Sequence, residues 1–278
     1  MHIADQTIDR WIEEDVPYLD LTTHLLGIGS QEGRLAFSAR EETTVCGTEE
    51  VARIFGRLGI EVGDWAPSGT NHAPGDLLIE GFGDAAALHA AWKVSVNILE
   101  YASGIAGRTR AMYQSARASN PHVEIVATRK GFPGTKELSV KAVITGGGLP
   151  HRLGLSETIL IFDHHRAFLD RPLATLVPVI QARACEKKVV IESTSLEDAL
   201  ELAQAGADGI QFDKIEPNRL AGYVRELRVR APRLVILAAG GINTANAASY
   251  AATGVDALAT SAMYFGKPAD ISTSMTGG

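Results

Sequence analysis

From residue 123 to residue 261 the chain repeats one pattern: a short apolar run closes on polar or glycine residues, and an amphipathic stretch follows. The runs are VEIVAT (123–128), TILIFD (158–163), KVVIES (188–193), DGIQFD (208–213), LVILAAGG (234–241) and VDALATS (255–261). Helical periodicity over 196–205 and 216–230 separates the later ones. Alternation of this kind demands parallel pairing, because a parallel strand is reached only by a crossover, usually a helix. Six or seven such units predict an α/β barrel, closed or incomplete, with an open doubly wound sheet as the alternative. Arg129 and Lys130, Asp163, Glu192, Asp213 and Gly240-Gly241 all fall at the C-terminal ends of their strands. Barrel active sites assemble at that face. Polar residues placed at random would divide between the two ends.

The first third is less regular. GRLAFSAR (33–40) and DLLIEGFG (76–83) read as strands bounded by turn residues. Residues 48–58 read as a helix, with Thr48 as N-cap and Val51, Ile54, Phe55 and Leu58 on one face. Residues 84–118 are helical, and the Ser103-Gly104 pair interrupts the pattern, which predicts two helices there.

Composition narrows the function classes. A chain of 278 residues, 45% hydrophobic and 21% charged, is expected to form one or two globular domains. A formal charge of −7 provides no general field for nucleic acid or an anionic membrane surface. No run reaches the roughly 18 apolar residues of a membrane span. Residues 1–14 mix acids and Arg10 with isoleucines, unlike a signal peptide, so a cytoplasmic protein is expected. Cys46 and Cys185 lie in no CxxC or Cys/His pattern and read as small apolar core residues, not as zinc ligands or a disulfide.

The residues that can carry chemistry cluster at the strand ends. Arg129 and Lys130, with His151 and Arg152 beyond a glycine-rich segment, form the densest basic group. Arginine binds carboxylates and phosphates as a fork and lysine adds a mobile point charge, so an anionic ligand is expected. The run through Ala239-Gly240-Gly241 follows a strand and is expected to open a helix whose backbone N–H groups cradle phosphate, with Thr260 and Ser261 completing the cradle. Glu192 and Asp213 close successive strands; such carboxylates can hold sugar hydroxyls or Mg2+, act as a base, or offset positive charge. Gly27-Ile28-Gly29 lacks the third glycine of a dinucleotide fingerprint and reads as a turn. His164-His165 are adjacent and point apart, and His24, His72 and His89 have no partner pattern, so none reads as a metal ligand.

Read together, TRKGFPGTKELSVKAVITGGGLPHRLGL (128–155) resembles the central motif of quinolinate phosphoribosyltransferases, the nicotinate-nucleotide pyrophosphorylases. DVPYLDLTT (15–23), NILEYASGIAGRTR (97–110), VVIESTSLEDALELAQAGADGIQFD (189–213) and AAGGINTANAASYAATGVDALATS (238–261) are similar to that family in the same order, over nearly the whole chain. The resemblance implies an N-terminal α/β sandwich domain over 1–110, completed by the C-terminal segment 262–278, and an incomplete α/β barrel over 111–261. It implies a homodimer in which one subunit's N-terminal domain covers the other's barrel mouth. The implied reaction is attack of a pyridine nitrogen on C1 of phosphoribosyl pyrophosphate with Mg2+, release of pyrophosphate and, for quinolinate, loss of the 2-carboxylate as CO2. Arg129, His151 and Arg152 match the acid-binding positions. Lys130 matches a position near the phosphates, Glu192 and Asp213 match positions at the ribose and metal, and Ala239, Gly240 and Gly241 match the 5′-phosphate loop.

Three departures from that pattern bear on specificity. Phe162 stands where the family usually has a lysine that contacts a substrate carboxylate. Trp92-Lys93 stands where the family has Glu-Arg, the arginine reaching the substrate across the dimer; Lys93 keeps the charge and loses the fork. Ala239 replaces a serine. These departures and KPADI (267–271) resemble the ModD branch of the family, proteins associated with molybdate transport. Two other readings stay open: a non-catalytic protein binding a phosphorylated ligand or oxyanion, and a barrel enzyme with another nucleotide-like substrate.

Overall fold

Parallel pairing of the alternating runs produces a single seven-stranded sheet in the computed structural model, which describes every residue from Met1 to Gly278. Its order is Leu149–Pro150, Glu124–Ala127, Ala257–Thr260, Val235–Ala239, Gly209–Asp213, Val189–Ser193 and Ile159–Ile161. Every neighbouring pair is parallel. The two edge strands, consecutive in the chain, do not pair, so the sheet is an incomplete barrel and not a closed one.

Side chains alternate across each strand. Leu160, Val190, Leu237 and Ala257 therefore meet on one face as a small apolar cluster, with Val126 and Phe162 packed on it. The opposite faces of the same strands bury Ile125, Ile161, Ile191, Ile210, Phe212, Ile236, Ala238 and Leu258. Helices Leu196–Gln204 and Pro217–Arg230 present Ala199, Leu202, Leu220, Val224 and Leu227 as their buried faces. Ser195 caps the first, its hydroxyl accepting from the Asp198 N–H at 3.2 Å.

Cα packing divides the chain into two units. The barrel unit comprises 111–131 and 148–263; the other comprises 1–110, 132–147 and 264–278. The second unit is built on an antiparallel sheet ordered Ile271–Gly277, Glu32–Ala39, Leu77–Asp84, Glu61–Trp65. The C-terminal strand pairs in register with Glu32–Ala39, Leu35 opposite Met275. Phe37, Phe55, Ile54, Leu78, Ile79 and Leu99 fill its core.

By Cα packing, residues 132–147 join the antiparallel-sheet unit. Helix Lys136–Thr145 carries Lys141 into a buried ion cluster there, 2.7 Å from Glu49 and also bonded to Glu50. Burial opposes the Glu49 charge, but Lys141 and Ser68 outweigh it and hold the carboxyl at about 2.

The expected break at Ser103-Gly104 is absent, and Ala85–Ser119 is a single helix. The Ser103 hydroxyl accepts from the Cys46 N–H at 2.9 Å. A Cβ on Gly104 would come within 3.0–3.1 Å of the backbone at 267–269. Both are small because other chain segments pack against them.

Gly47, not Thr48, is the N-cap of Thr48–Arg57; the Thr48 hydroxyl instead donates to the Ala66 carbonyl at 2.6 Å. Cys46 is buried as expected, but Cys185 is exposed in the loop before Val189–Ser193.

Candidate active site

In a parallel sheet the C-terminal ends of all strands open on one rim. Going round it, Leu149–Pro150 leads into His151 and Arg152, and Glu124–Ala127 into Arg129 and Lys130. Ala257–Thr260 leads into Ser261, Val235–Ala239 into Gly240 and Gly241, and Gly209–Asp213 ends on Asp213 itself. Glu192 lies one residue from the end of Val189–Ser193, and Ile159–Ile161 leads into Phe162. Of the residues singled out from the sequence, all but Lys93 lie on this rim. Lys93 belongs to the other unit, where its ammonium sits 4.3 Å from the Trp92 ring centroid.

The acidic side is set by register. Gln211 pairs with Glu192 on one side and with Leu237 on the other, so Glu192, Gln211 and, two residues on, Asp213 share the inner face. The buried Gln211 amide donates to Glu192 Oε2 at 3.3 Å. Burial, then the Asp213 charge, raises the Glu192 pKa; the Gln211 bond opposes them. Sequence reasoning missed Gln211. The available signal was an uncharged amide inside the otherwise apolar run GIQFD, where a buried polar group needs a partner.

The basic side is self-repelling, a repulsion that an anion would relieve. Burial, then the Arg129 charge, depresses the Arg152 guanidinium; burial, then Arg152, depresses His151 and leaves it neutral at pH 7. Arg152 is positioned by its Nη1 bond to the Thr158 carbonyl at 3.2 Å, and His151 by its N–H bond to the Ala127 carbonyl at 2.9 Å. Arg129 and Lys130 are exposed. The Lys130 N–H donates to the Thr128 hydroxyl at 3.3 Å, which turns the chain off the strand end.

Phe162 borders this basic group. Its ring centroid lies 6.0 Å from Arg152 Cζ, and it stacks on His165 at 5.8 Å with a 17° interplanar angle. The Phe162 N–H donates to His165 Nδ1 at 3.0 Å, so His165 is used in shaping the turn. Beneath, Phe162 rests on the apolar cluster of the barrel interior. The wall beside Arg152 is therefore apolar and aromatic.

The glycine loop departs from expectation. Gly240 and Gly241 do not open a helix directly; the short helix Ala247–Ala251 begins six residues later. Instead the loop is tied internally: the Asn243 and Asn246 amides donate to the Gly241 carbonyl at 3.2 and 3.1 Å. The buried Thr260 hydroxyl donates to the Ile242 carbonyl at 2.6 Å and so braces the loop from below.

Gly240 has φ 86°, and a Cβ there would meet Lys214 Cγ at 2.5 Å and Asp213 Oδ1 at 2.6 Å. Gly240→Ala is expected to destabilise the protein by about 1–3 kcal/mol, read as a lowered melting temperature, because strain and collision add. An unchanged melt would show that the loop relaxes freely.

The chain matches two family models: the N-terminal domain of quinolinate phosphoribosyl transferase over residues 20–103 and its C-terminal domain over 105–274. ModD of Rhodobacter capsulatus is 42% identical over 249 residues, covering 88% of this chain and 95% of its own. The carboxylating nicotinate-nucleotide pyrophosphorylase of Homo sapiens is 27% identical over 251 residues, covering 90% and 84%. The crystal structure of nicotinate-nucleotide pyrophosphorylase from Ehrlichia chaffeensis shares the fold, with a TM-score of 0.91 at 23% identity over 99% of this chain and 100% of that one.

Proposed function

This chain belongs to the quinolinate phosphoribosyltransferase family, and from that premise we propose that it transfers phosphoribose from phosphoribosyl pyrophosphate to the ring nitrogen of quinolinate or a related aromatic acid. The observation that carries this reading is the shared rim: two carboxylates on one side, a mutually repelling cationic group on the other, and a braced glycine loop between them.

Each part has a task in that reaction. As the bond from C1 to pyrophosphate breaks, positive charge develops on the ribose ring. Glu192 and Asp213 stabilise that charge and accept hydrogen bonds from the ribose hydroxyls. Arg152, with Arg129 and His151, holds the acid's carboxylate and so aims its ring nitrogen at C1. Lys130 offsets charge on the phosphates. Gly240 and Gly241, next to Ala239 and Ser261, receive the 5′-phosphate. Thr260 shapes that loop through Ile242. Lys93 and a homodimer with shared active sites complete the arrangement.

Mg2+ fits this donor set. No group of three or more histidine, cysteine or acidic side chains gathers anywhere in the chain. Two carboxylates suit magnesium, which fills its remaining positions from water and substrate phosphates. Glu192 and Asp213 would hold it, and bound there it would neutralise charge on the departing pyrophosphate.

Phe162 bears on the acceptor. An aromatic ring beside Arg152 disfavours a second carboxylate and favours the face or edge of an apolar ring. The acceptor supported best is thus an aromatic acid with one carboxylate at the Arg152 side. Phe162→Lys is expected to tighten quinolinate binding about tenfold, the worth of one partly exposed charge-assisted hydrogen bond. Unchanged or weaker binding in a folded variant would remove Phe162 from the specificity account.

The apolar wall also suits a non-catalytic binding protein of the same fold, and turnover separates the two. Incubation with phosphoribosyl pyrophosphate, Mg2+ and a panel of pyridine mono- and dicarboxylic acids should release pyrophosphate with at least one acid. Release with CO2 identifies quinolinate. Tight sugar-phosphate binding without release from any aromatic acid would favour the non-catalytic reading.

A further inference from the structure

Lys214 is the one non-glycine residue of the chain with a positive φ, 55°. That left-handed backbone is disfavoured for residues with a Cβ; asparagine and aspartate, which bond their own backbone, tolerate it best. A lysine has no such local compensation.

Two contacts impose the geometry. The Lys214 N–H donates to the Ala239 carbonyl at 2.8 Å, extending the ladder beyond the last pair, Asp213 opposite Ala239. Gly240 then packs so closely that only its missing Cβ leaves room for Lys214 Cγ. The side chain thereby starts against Gly240, its Cγ beside the missing Cβ. Its ammonium reaches Asp213 Oδ2 at 3.9 Å, and the side chain as a whole is 79% exposed. One long contact to a single carboxylate leaves most of its three donors to solvent.

We propose that Lys214 is a binding residue for a phosphate monoester seated on the Gly240-Gly241 loop, the sugar's 5′-phosphate; this rests on the phosphoribosyl-transfer reading. Ala239 offers that loop no hydroxyl, and Arg129, His151 and Arg152 follow strands at the other side of the sheet. Lys214 is the cation whose side chain packs on Gly240. A dianionic phosphate competes successfully with one carboxylate at 3.9 Å for the ammonium. The strained backbone is the means by which the sheet aims it, as strain retained at a working position often is.

The test uses the full chain with Mg2+ and calorimetric titration of ribose 5-phosphate and of inorganic pyrophosphate. Lys214→Asn keeps a residue at ease with that φ and removes the charge; Lys214→Arg keeps the charge. Lys214→Asn should weaken ribose 5-phosphate about tenfold, and Lys214→Arg should recover most of that loss, as one charge-assisted hydrogen bond dictates. Pyrophosphate affinity should stay as in the parent, and neither variant should melt lower. Equal ribose 5-phosphate affinity in parent and Lys214→Asn would overturn the role of Lys214 alone. A loss confined to pyrophosphate would overturn its assignment to the 5′-phosphate. A parent that binds neither ribose 5-phosphate nor phosphoribosyl pyrophosphate would overturn the phosphoribosyl-transfer reading, and this inference with it.

Discussion

Arg152→Ala should weaken binding of the aromatic acid by about 100-fold or more while leaving the affinity for phosphoribosyl pyrophosphate within about threefold, since losing a partly desolvated charge partner costs about 2–5 kcal/mol. The size follows from the surroundings. Arg152 is half-buried, anchored on the Thr158 carbonyl at 3.2 Å, and already strained electrostatically by Arg129. An anion arriving there relieves the repulsion and gains a bidentate partner. Without Arg152 the acid meets the apolar face of Phe162, and the exposed Arg129 and Lys130 cannot replace a fork held in place. Competition binding measures this directly. An acid affinity that survives the truncation would move the acid site elsewhere on the rim.

Glu192→Gln should lower the rate of pyrophosphate release about 100- to 1000-fold with a modest change in substrate affinity, as loss of one preorganised electrostatic partner of a developing charge typically does. Glutamine keeps the volume and the Gln211 neighbour but cannot offset charge on the ribose ring. The pH profile supplies a second signature. Burial, then Asp213, raises the Glu192 pKa above the ordinary 4.5, so the protonated, inactive form persists to higher pH than for an exposed glutamate. Activity should fall as pH drops through that raised value, and the acid limb should disappear from the residual activity of Glu192→Gln. The same shift carries a stability consequence of opposite sign. The folded state binds this proton more tightly than the unfolded state, so ionising Glu192 works against folding above that window and protonating it relieves the penalty. Gln at 192 should therefore leave the melting temperature at neutral pH unchanged or higher. A variant that both melts lower and loses substrate affinity would point to a structural role.

Six of the seven barrel strands were legible because their runs are mostly apolar and end on a turn residue or an acid; Leu149–Pro150, two residues long, carries no such run. Glu192, Asp213 and Arg129 could be placed on one rim for the same reason, since parallel pairing fixes which end of every strand faces the same way; Arg152 joined them only as a member of the basic cluster. Ser103 and Gly104 misled because small residues read as breakers when the segment packed against them is distant in sequence. Helix 136–145 could not be placed from its own residues: it has no strong apolar stripe, and Lys141 ties it to Glu49 and Glu50, about ninety residues earlier. Gln211 carried a signal, an amide inside an apolar run, but its partner Glu192 is named only by the cross-strand register. Lys214 was invisible, because a backbone torsion imposed by a neighbouring strand leaves no mark in composition or periodicity.

One measurement bears most directly on the claim that the rim is a single site: a crystal structure of the chain with phosphoribosyl pyrophosphate and an aromatic acid bound together. The expected result has the 5′-phosphate against Gly240 and Gly241, the ribose over Glu192 and Asp213, and the acid's carboxylate on Arg152. A sugar phosphate seated away from the ends of strands Gly209–Asp213 and Val235–Ala239 would contradict the account.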